Sequence, residues 1–159
     1  MKAKKIKPKN TFYNGYNFRS RLEARWAVWF DCMEIKYRYE TEGYDLEKEG
    51  YLPDFWLYGD RTWIEIKPDR PSFEEIEKAV ELEQKTGFPV IFFCGTPWPS
   101  ECFRVHYQEE NGSFKEIFYD TWEDSIQDYK LVRAFQKARK ARFEFGETPS
   151  RQIRFPFLL

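Results

Sequence analysis

A chain of 159 residues is about the length of one domain and can bury a core without disulfide or metal staples. With 42 % hydrophobic and 20 % aromatic residues it reads as packed rather than disordered; no apolar run reaches the roughly 18 residues of a membrane span, and "MKAKKIKPKN" lacks a signal peptide's apolar segment, so a soluble, cytoplasmic protein is expected. The net charge of −1 hides a segregation: residues 1–38 carry ten Lys/Arg against three acids, 39–128 eight against 22, and 129–159 eight against two, a distribution that suits a polyanion-binding surface and equally suits solvated charged ends.

In chain order, residues 1–17 read as a basic N-terminal arm closing on the Asn14-Gly15 turn. "RSRLEARWAVWFDCM" then spaces Leu22, Trp26, Trp29, Phe30 and Met33 as one helical face. Ser20 and Glu23 have capping-box spacing at its start. A strand is expected over about residues 35–46, with Gly50 turning into the next segment.

That segment, "YLPDFWLYGDRTWIEIK" over 51–67, reads as a hairpin with a two-residue Gly59-Asp60 connection of type II′. Partners then sum to 119. Trp56 faces Trp63, and Asp54 faces Glu65, two acids side by side on strands that otherwise look buried. Like charges so placed are destabilising unless something neutralises them, and a divalent cation would do so. Glu65 and Lys67 share one face of their strand, so three charges converge.

Next, Ser72 and Glu75 form a capping box, Ile76, Ala79 and Val80 an inward stripe, and Gly87 a stop, so a helix precedes the buried strand "PVIFFCG". Strand, strand, helix, strand implies a crossover onto a mixed sheet. This is a mixed α/β (α+β) fold whose core spans 18–100. Residues 101–120 are read as a hairpin turning at Asn111-Gly112, with Phe103, Val105, Tyr107, Phe114 and Phe118 on one face. A helix of about Glu123 to Phe143 follows, capped near Thr121 or Trp122. Its Lys130, Arg133, Lys137 and Lys140 make a basic stripe, readable as a solvated face or as phosphate contacts. The tail 144–159 ends in "IRFPFLL", which would pack on its own domain or dock on a partner or a second copy as a homodimer. Cys32, Cys94 and Cys102 have no metal-ligand spacing and are read as small core residues, with His106 as a strand residue. Trp26, Trp29, Trp56 and Trp63 are likewise read as core.

Phosphodiester hydrolysis needs an activated water and charge stabilisation at phosphorus. A hard cation on one or two carboxylates supplies both, and a neighbouring lysine can orient or deprotonate the water. Asp54, Glu65 and Lys67 are of the right types. "Leu52-Pro53-Asp54" followed by "Glu65-Ile66-Lys67" resembles the PD-(D/E)XK nuclease superfamily, with Glu23 in "Arg19-Ser20-Arg21-Leu22-Glu23" as its helical glutamate. "LPDF…EIKP" is most similar to TnsA-like transposon-end nucleases and to small phage nucleases. The resemblance covers about residues 19–95. It implies a restriction-endonuclease-like core with a mixed four-stranded sheet flanked by helices, to which the hairpin and basic helix are added. It also implies Mg²⁺-dependent cleavage of nucleic acid, with Mn²⁺ as substitute: the ion held by Asp54, Glu65 and the backbone carbonyl of Ile66, Lys67 positioning water, and Glu23 assisting. Glu23 remains open to a plain helix-capping role. Arg19 and Arg21 join the basic stripe as candidate nucleic-acid contacts, with DNA the expected substrate. A non-catalytic nucleic-acid-binding protein on the same fold, or a resolvase of branched DNA, would carry the same motif.

Overall fold

The computed structural model describes residues 9–40, 44–45, 50–51, 53–123 and 127–143. The proposed tail at 144–159 and the first eight residues of the basic arm lie outside these. The fold is mixed α/β: three helices, a six-stranded mixed sheet and two small two-stranded ribbons among the described residues.

The first ribbon replaces part of the expected arm. β1 (Thr11–Tyr13) and β2 (Tyr16–Phe18) pair antiparallel around Asn14 and Gly15, both at positive φ, the backbone that a two-residue hairpin turn demands. Tyr13 and Phe18 alternate inward and are buried, which ties the hairpin to the core. Helix α1 (Arg21–Cys32) follows, with Ser20 Oγ accepting from Glu23 N at 3.1 Å.

The strand expected over 35–46 is instead broken. β3 (Tyr37–Tyr39) ends where Glu40 turns at φ +47, and β4 (Tyr44–Asp45) belongs to a separate ribbon with β5 (Gly50–Tyr51), so Gly50 lies in a strand rather than a turn. Then β6 (Phe55–Leu57) and β7 (Thr62–Lys67) pair as Phe55 with Ile64, Trp56 with Trp63 and Leu57 with Thr62, the expected register. The loop is longer than expected: Tyr58–Arg61 spans four residues, and Arg61 rather than Gly59 takes the positive φ. A four-residue connection keeps the same register as a two-residue one with an added pair, which is why the alternation alone did not separate them.

Helix α2 (Phe73–Thr86) has the full capping box on Ser72 and Glu75 and ends at Gly87 in the left-handed conformation. It crosses to β8 (Val90–Cys94), parallel to β7. β9 (Phe103–Glu110) and β10 (Ser113–Asp120) complete the sheet in the order β10-β9-β8-β7-β6-β3, so the second hairpin extends the core sheet rather than sitting apart from it. A bulge at Ile117 shifts its register by one. Phe118 is thereby paired with His106 and turned away from Val105 and Tyr107, against the expected common face. Helix α3 (Tyr129–Lys140) starts later than expected, with Asp128 as its cap.

The two faces of the sheet are filled differently. On one, α1 and α3 bury Trp26, Phe30 and Phe135 against Phe55, Ile64, Ile66 and Phe93. On the other, α2 buries Ala79, Val80 and Leu82 against Trp63, Phe92 and Val105. Trp26, Trp29 and Trp63 are core, as the sequence suggests, while Trp56 is half-buried and packs at a tilt of 53° against Trp63 with centroids 4.5 Å apart. The three cysteines are free and buried. His106 bonds Glu83 through Nε2 at 2.7 Å.

One close approach fixes α1 against the end of β8. Gly95, at φ +85, would bring an added Cβ to 2.2 Å from the Glu101 carbonyl oxygen. Its own carbonyl accepts from Trp26 Nε1 at 3.1 Å, and its N–H donates to Lys67 O at 2.8 Å.

Candidate active site

The strand periodicity sets the site. Trp63 belongs to the core under α2 while Ile64 and Ile66 belong to the core under α1, so Glu65 and Lys67 project on the α2 face. Asp54 sits one step before β6, opposite Glu65 by the same register. The two acids are cross-linked through each other's backbone: Asp54 N donates to Glu65 Oε1 at 3.0 Å, and Ile66 N donates to Asp54 Oδ2 at 2.8 Å. N–H and C=O of one strand residue project to the same side, so the Ile66 carbonyl faces the gap toward Asp54 too.

A cleft of about 800 Å³ opens here, and Arg19, Glu23, Asp54, Glu65, Ile66 and Lys67 all line it. The site residues expected from the motif, and Arg19 with them, are thus brought together. Arg21, Lys130, Arg133, Lys137 and Lys140 do not line it. Lys130 pairs with Glu34 at 3.0 Å, and Arg133 donates to Gln136 at 2.7 Å.

Within the cleft, charge is unbalanced. Its lining holds five carboxylates, Glu23, Asp54, Glu65, Asp69 and Glu75, against Arg19, Lys67 and Arg70. Asp54 and Glu65 are each only 4 % exposed. Arg19 Nη2 donates to Asp54 Oδ1 at 2.9 Å and its Nε pairs with Glu40, but its side chain is half in solvent, which weakens the compensation. Lys67 Nζ is 3.9 Å from Glu65 Oε2 and pairs directly with Glu75.

The acids respond as buried, under-compensated carboxyls do. Burial, reinforced by the charges of Glu65 and Glu23, pushes Asp54 well above the carboxylate range, against the Ile66 N–H and Arg19. Burial pushes Glu65 up to about 7 even with Lys67, Tyr51 and the Asp54 N–H favouring its charged form. Glu23 is raised by burial too, although the Tyr39 hydroxyl donates to its Oε2 and Arg19 lies near. Lys67 goes the other way: burial works against its ammonium, but the hydrogen bond from Lys67 to Glu75 and the charges of Glu65, Glu75 and Asp54 outweigh it and hold the pKa above its ordinary value. Lys67 is therefore a cation at neutral pH. That suits it to charge stabilisation and to orienting water, not to removing a proton.

These residues fit a hard divalent cation. The donors are all oxygen, the negative charge is in excess, and the buried Tyr51 hydroxyl beside Glu65 has no hydrogen bond of normal geometry. Carboxylate oxygens of Glu23, Glu40 and Asp54 also lie within 4.8 Å of one another.

Four positions escaped the sequence. Glu40 comes beside Asp54 and Glu23 because the β3–β6 pairing runs on past Tyr39, with Glu40 N donating to Asp54 O at 2.8 Å. Glu75 caps α2 through Oε1, which accepts from Ser72 N at 2.9 Å, and holds Lys67 through Oε2. Only the first of these roles has a local signature. Tyr39 bridges Glu23 and the Arg19 N–H, and Tyr51 faces Glu65. For Glu23, Ser20 caps its N–H, the half of the capping box that any residue there would supply, while its carboxylate accepts from the Tyr39 hydroxyl and lines the cleft.

Comparison of the chain with protein-family models, with curated proteins and with solved structures gives no match in any of the three. No described helix is long and apolar enough to cross a bilayer.

Proposed function

We propose that this chain is a Mg²⁺-dependent nuclease that hydrolyses phosphodiester bonds in DNA on a restriction-endonuclease-like core of the PD-(D/E)XK type, with Mn²⁺ able to substitute. The observation that carries this is the reciprocal pair: two buried carboxylates on adjoining strands, in register, beside an ammonium on the same strand face. A folded protein tolerates uncompensated buried carboxylates at a cost of several kcal/mol per ion (order of magnitude), and a site awaiting a cation accounts for that cost.

Asp54, Glu65 and the Ile66 carbonyl are the ligands the ion would use, with Glu23 in support; once bound, Mg²⁺ supplies charge neutralisation at phosphorus and a water of lowered pKa. The remaining steps belong to the chain. Lys67, fixed by Glu75, donates to the attacking water's oxygen and offsets negative charge developing on the phosphoryl oxygens. Arg19, half-exposed at the cleft, would meet an incoming phosphate. Arg21 and the α3 residues Lys130, Arg133, Lys137 and Lys140 are outer contacts that would make binding salt-dependent.

The test is cleavage of labelled duplex and branched DNA in Mg²⁺ or Mn²⁺. Cutting is expected to stop with EDTA, with Asp54→Ala and with Lys67→Ala, while circular dichroism shows the fold retained. Cleavage that survives all three overturns the mechanism. Salt-sensitive binding with no cleavage in either metal replaces it with a non-catalytic DNA-binding protein.

A further inference from the structure

Arg19 holds a position that the proposed cation and the DNA would both contest. Its guanidinium meets two acids with different atoms: Nη2 donates to Asp54 Oδ1 at 2.9 Å, and Nε pairs with Glu40. The Arg19 backbone N–H donates to the Tyr39 hydroxyl at 3.1 Å, so the chain is fixed at the root of a side chain that is itself 54 % exposed. Among the described residues no other cation pairs with Asp54, since Lys67 is taken by Glu75 and stands 3.9 Å from Glu65.

The two oxygens of Asp54 are held unequally. Oδ2 accepts from Ile66 N at 2.8 Å within the sheet, which fixes the carboxylate, whereas Oδ1 is held by a side chain half in water. One carboxylate oxygen each from Glu23, Glu40 and Asp54 lie within 4.8 Å of one another, and all three acids act on Arg19. In the ion-free protein the guanidinium thus brings these oxygens the positive charge that a divalent ion would bring. Exchange is favourable, because an ion pair half in solvent is weak and a compact, doubly charged ion attracts oxygens more strongly than a delocalised single charge.

We infer that Arg19 is an exchangeable counter-cation: a divalent ion arriving at Asp54 displaces the Nη edge of its guanidinium, which turns to a phosphate of the DNA while Nε stays on Glu40. The same edge can serve both partners, since its N–H groups match carboxylate and phosphate oxygens alike. Cation binding thereby creates a phosphate contact, and the cation precedes DNA. The inference rests on the cation site and the substrate proposed above, and it adds the order in which they fill.

The first measurement is Mn²⁺ binding to the full chain without DNA, read by electron paramagnetic resonance. Arg19→Gln should bind Mn²⁺ about tenfold more tightly than the parent, and Arg19→Lys, which keeps the charge and removes the forked edge, should fall between them. Arg70→Gln, which removes a cleft charge paired with Glu116 rather than Asp54, should change the affinity by less than about twofold. The second measurement is binding of labelled duplex DNA by chains that also carry Lys67→Met, so that the DNA stays intact. Arg19→Gln should then cost less than about twofold in EDTA, where Arg19 is engaged, and about tenfold in Mg²⁺, where it is released. Equal Mn²⁺ affinity in the parent and Arg19→Gln overturns the exchange, as does an equal loss of DNA binding with and without Mg²⁺, which makes Arg19 a plain phosphate contact. Absence of Mn²⁺ binding in every chain removes the exchange together with the cation site. Failure of the nuclease function has a different signature: tighter Mn²⁺ binding by Arg19→Gln with no cleavage by the parent in Mg²⁺ or Mn²⁺ rejects the cleavage chemistry and keeps the exchange. Cleavage by the parent with unchanged Mn²⁺ affinity in Arg19→Gln does the reverse.

Discussion

The β6–β7 and β9–β10 hairpins belong to one sheet but handle charge in opposite ways. In β9–β10 the ionic groups lie near solvent and are matched: Arg104 with Asp120, Lys115 with Glu110, Arg70 with Glu116. In β6–β7 the carboxylates of Asp54 and Glu65 are almost fully enclosed, and their cations are shared with Glu40 and Glu75. Exposed pairs are worth about 0–1 kcal/mol and can be lost at little cost, whereas enclosed, under-matched acids work against the fold. A hairpin that carries such a liability at its centre is shaped by something other than stability.

The largest effect expected from breaking this contrast is on turnover. Removing the ammonium with Lys67→Met should lower the rate of Mg²⁺-dependent cleavage by about 10³-fold, the scale of a lost electrostatic stabiliser, with duplex binding nearly unchanged. Single-turnover kinetics measures this, and an equal fall in binding would instead make Lys67 a simple phosphate contact.

Next comes stability. Glu65 ionises at about 7 in the fold against an ordinary 4.5, so the folded chain holds its proton more tightly than the unfolded one. Its effect is absent below about pH 4.5, destabilises the ion-free fold progressively as pH rises to about 7, and is constant above. Asp54, raised as well, acts in the same direction. Glu65→Gln should accordingly stabilise the ion-free protein at pH 8 by about 2 kcal/mol, read by urea unfolding, while removing the stabilisation that Mn²⁺ gives the parent. An unchanged or lowered midpoint would contradict the assignment of Glu65 as an under-compensated acid.

A smaller effect is expected at Glu75, which serves both the helix cap and Lys67. Glu75→Gln keeps an oxygen for Ser72 N but loses the charge on Lys67, and should cost about 1 kcal/mol of stability together with a lower apparent pKa in the pH–rate profile. Smallest of all, Asp120→Asn on the second hairpin should move stability by about 0.5 kcal/mol or less, and 1 M salt should erase the difference.

The sequence made the β6–β7 register legible because tryptophans, isoleucines and acids alternate strictly on both sides of Gly59 and Asp60, and that alternation is enough to set Asp54 against Glu65. Capping chemistry likewise exposed α2, with its Ser72, Glu75 and Gly87. What stayed hidden depended on paths rather than patterns. Glu40 follows a three-residue strand whose partner lies beyond a connection of undistinguished composition, so nothing local links it to Asp54. The bulge at Ile117 leaves no mark in "KEIFYD", where apolar residues run consecutively and either face is plausible; Phe118 was therefore assigned to the wrong side. The start of α3 was missed because Glu123 and Asp124 resemble a first turn, while Asp128 provides the actual cap. The hairpin in the later part of the expected arm was missed because five lysines outweighed the short alternation of Thr11, Tyr13, Tyr16 and Phe18.

Gly95 ties these parts into a single mechanical element. Its peptide receives the Trp26 indole on one side and reaches Lys67 on the other, so one linkage spans the helix that bears Glu23 and the strand that bears Glu65. No side chain fits at that crossing, and a methyl group there would have to push aside the Glu101 backbone. Drift at this residue would thus pull opposing walls of the cleft out of alignment together, making an inconspicuous glycine a keystone for the proposed chemistry.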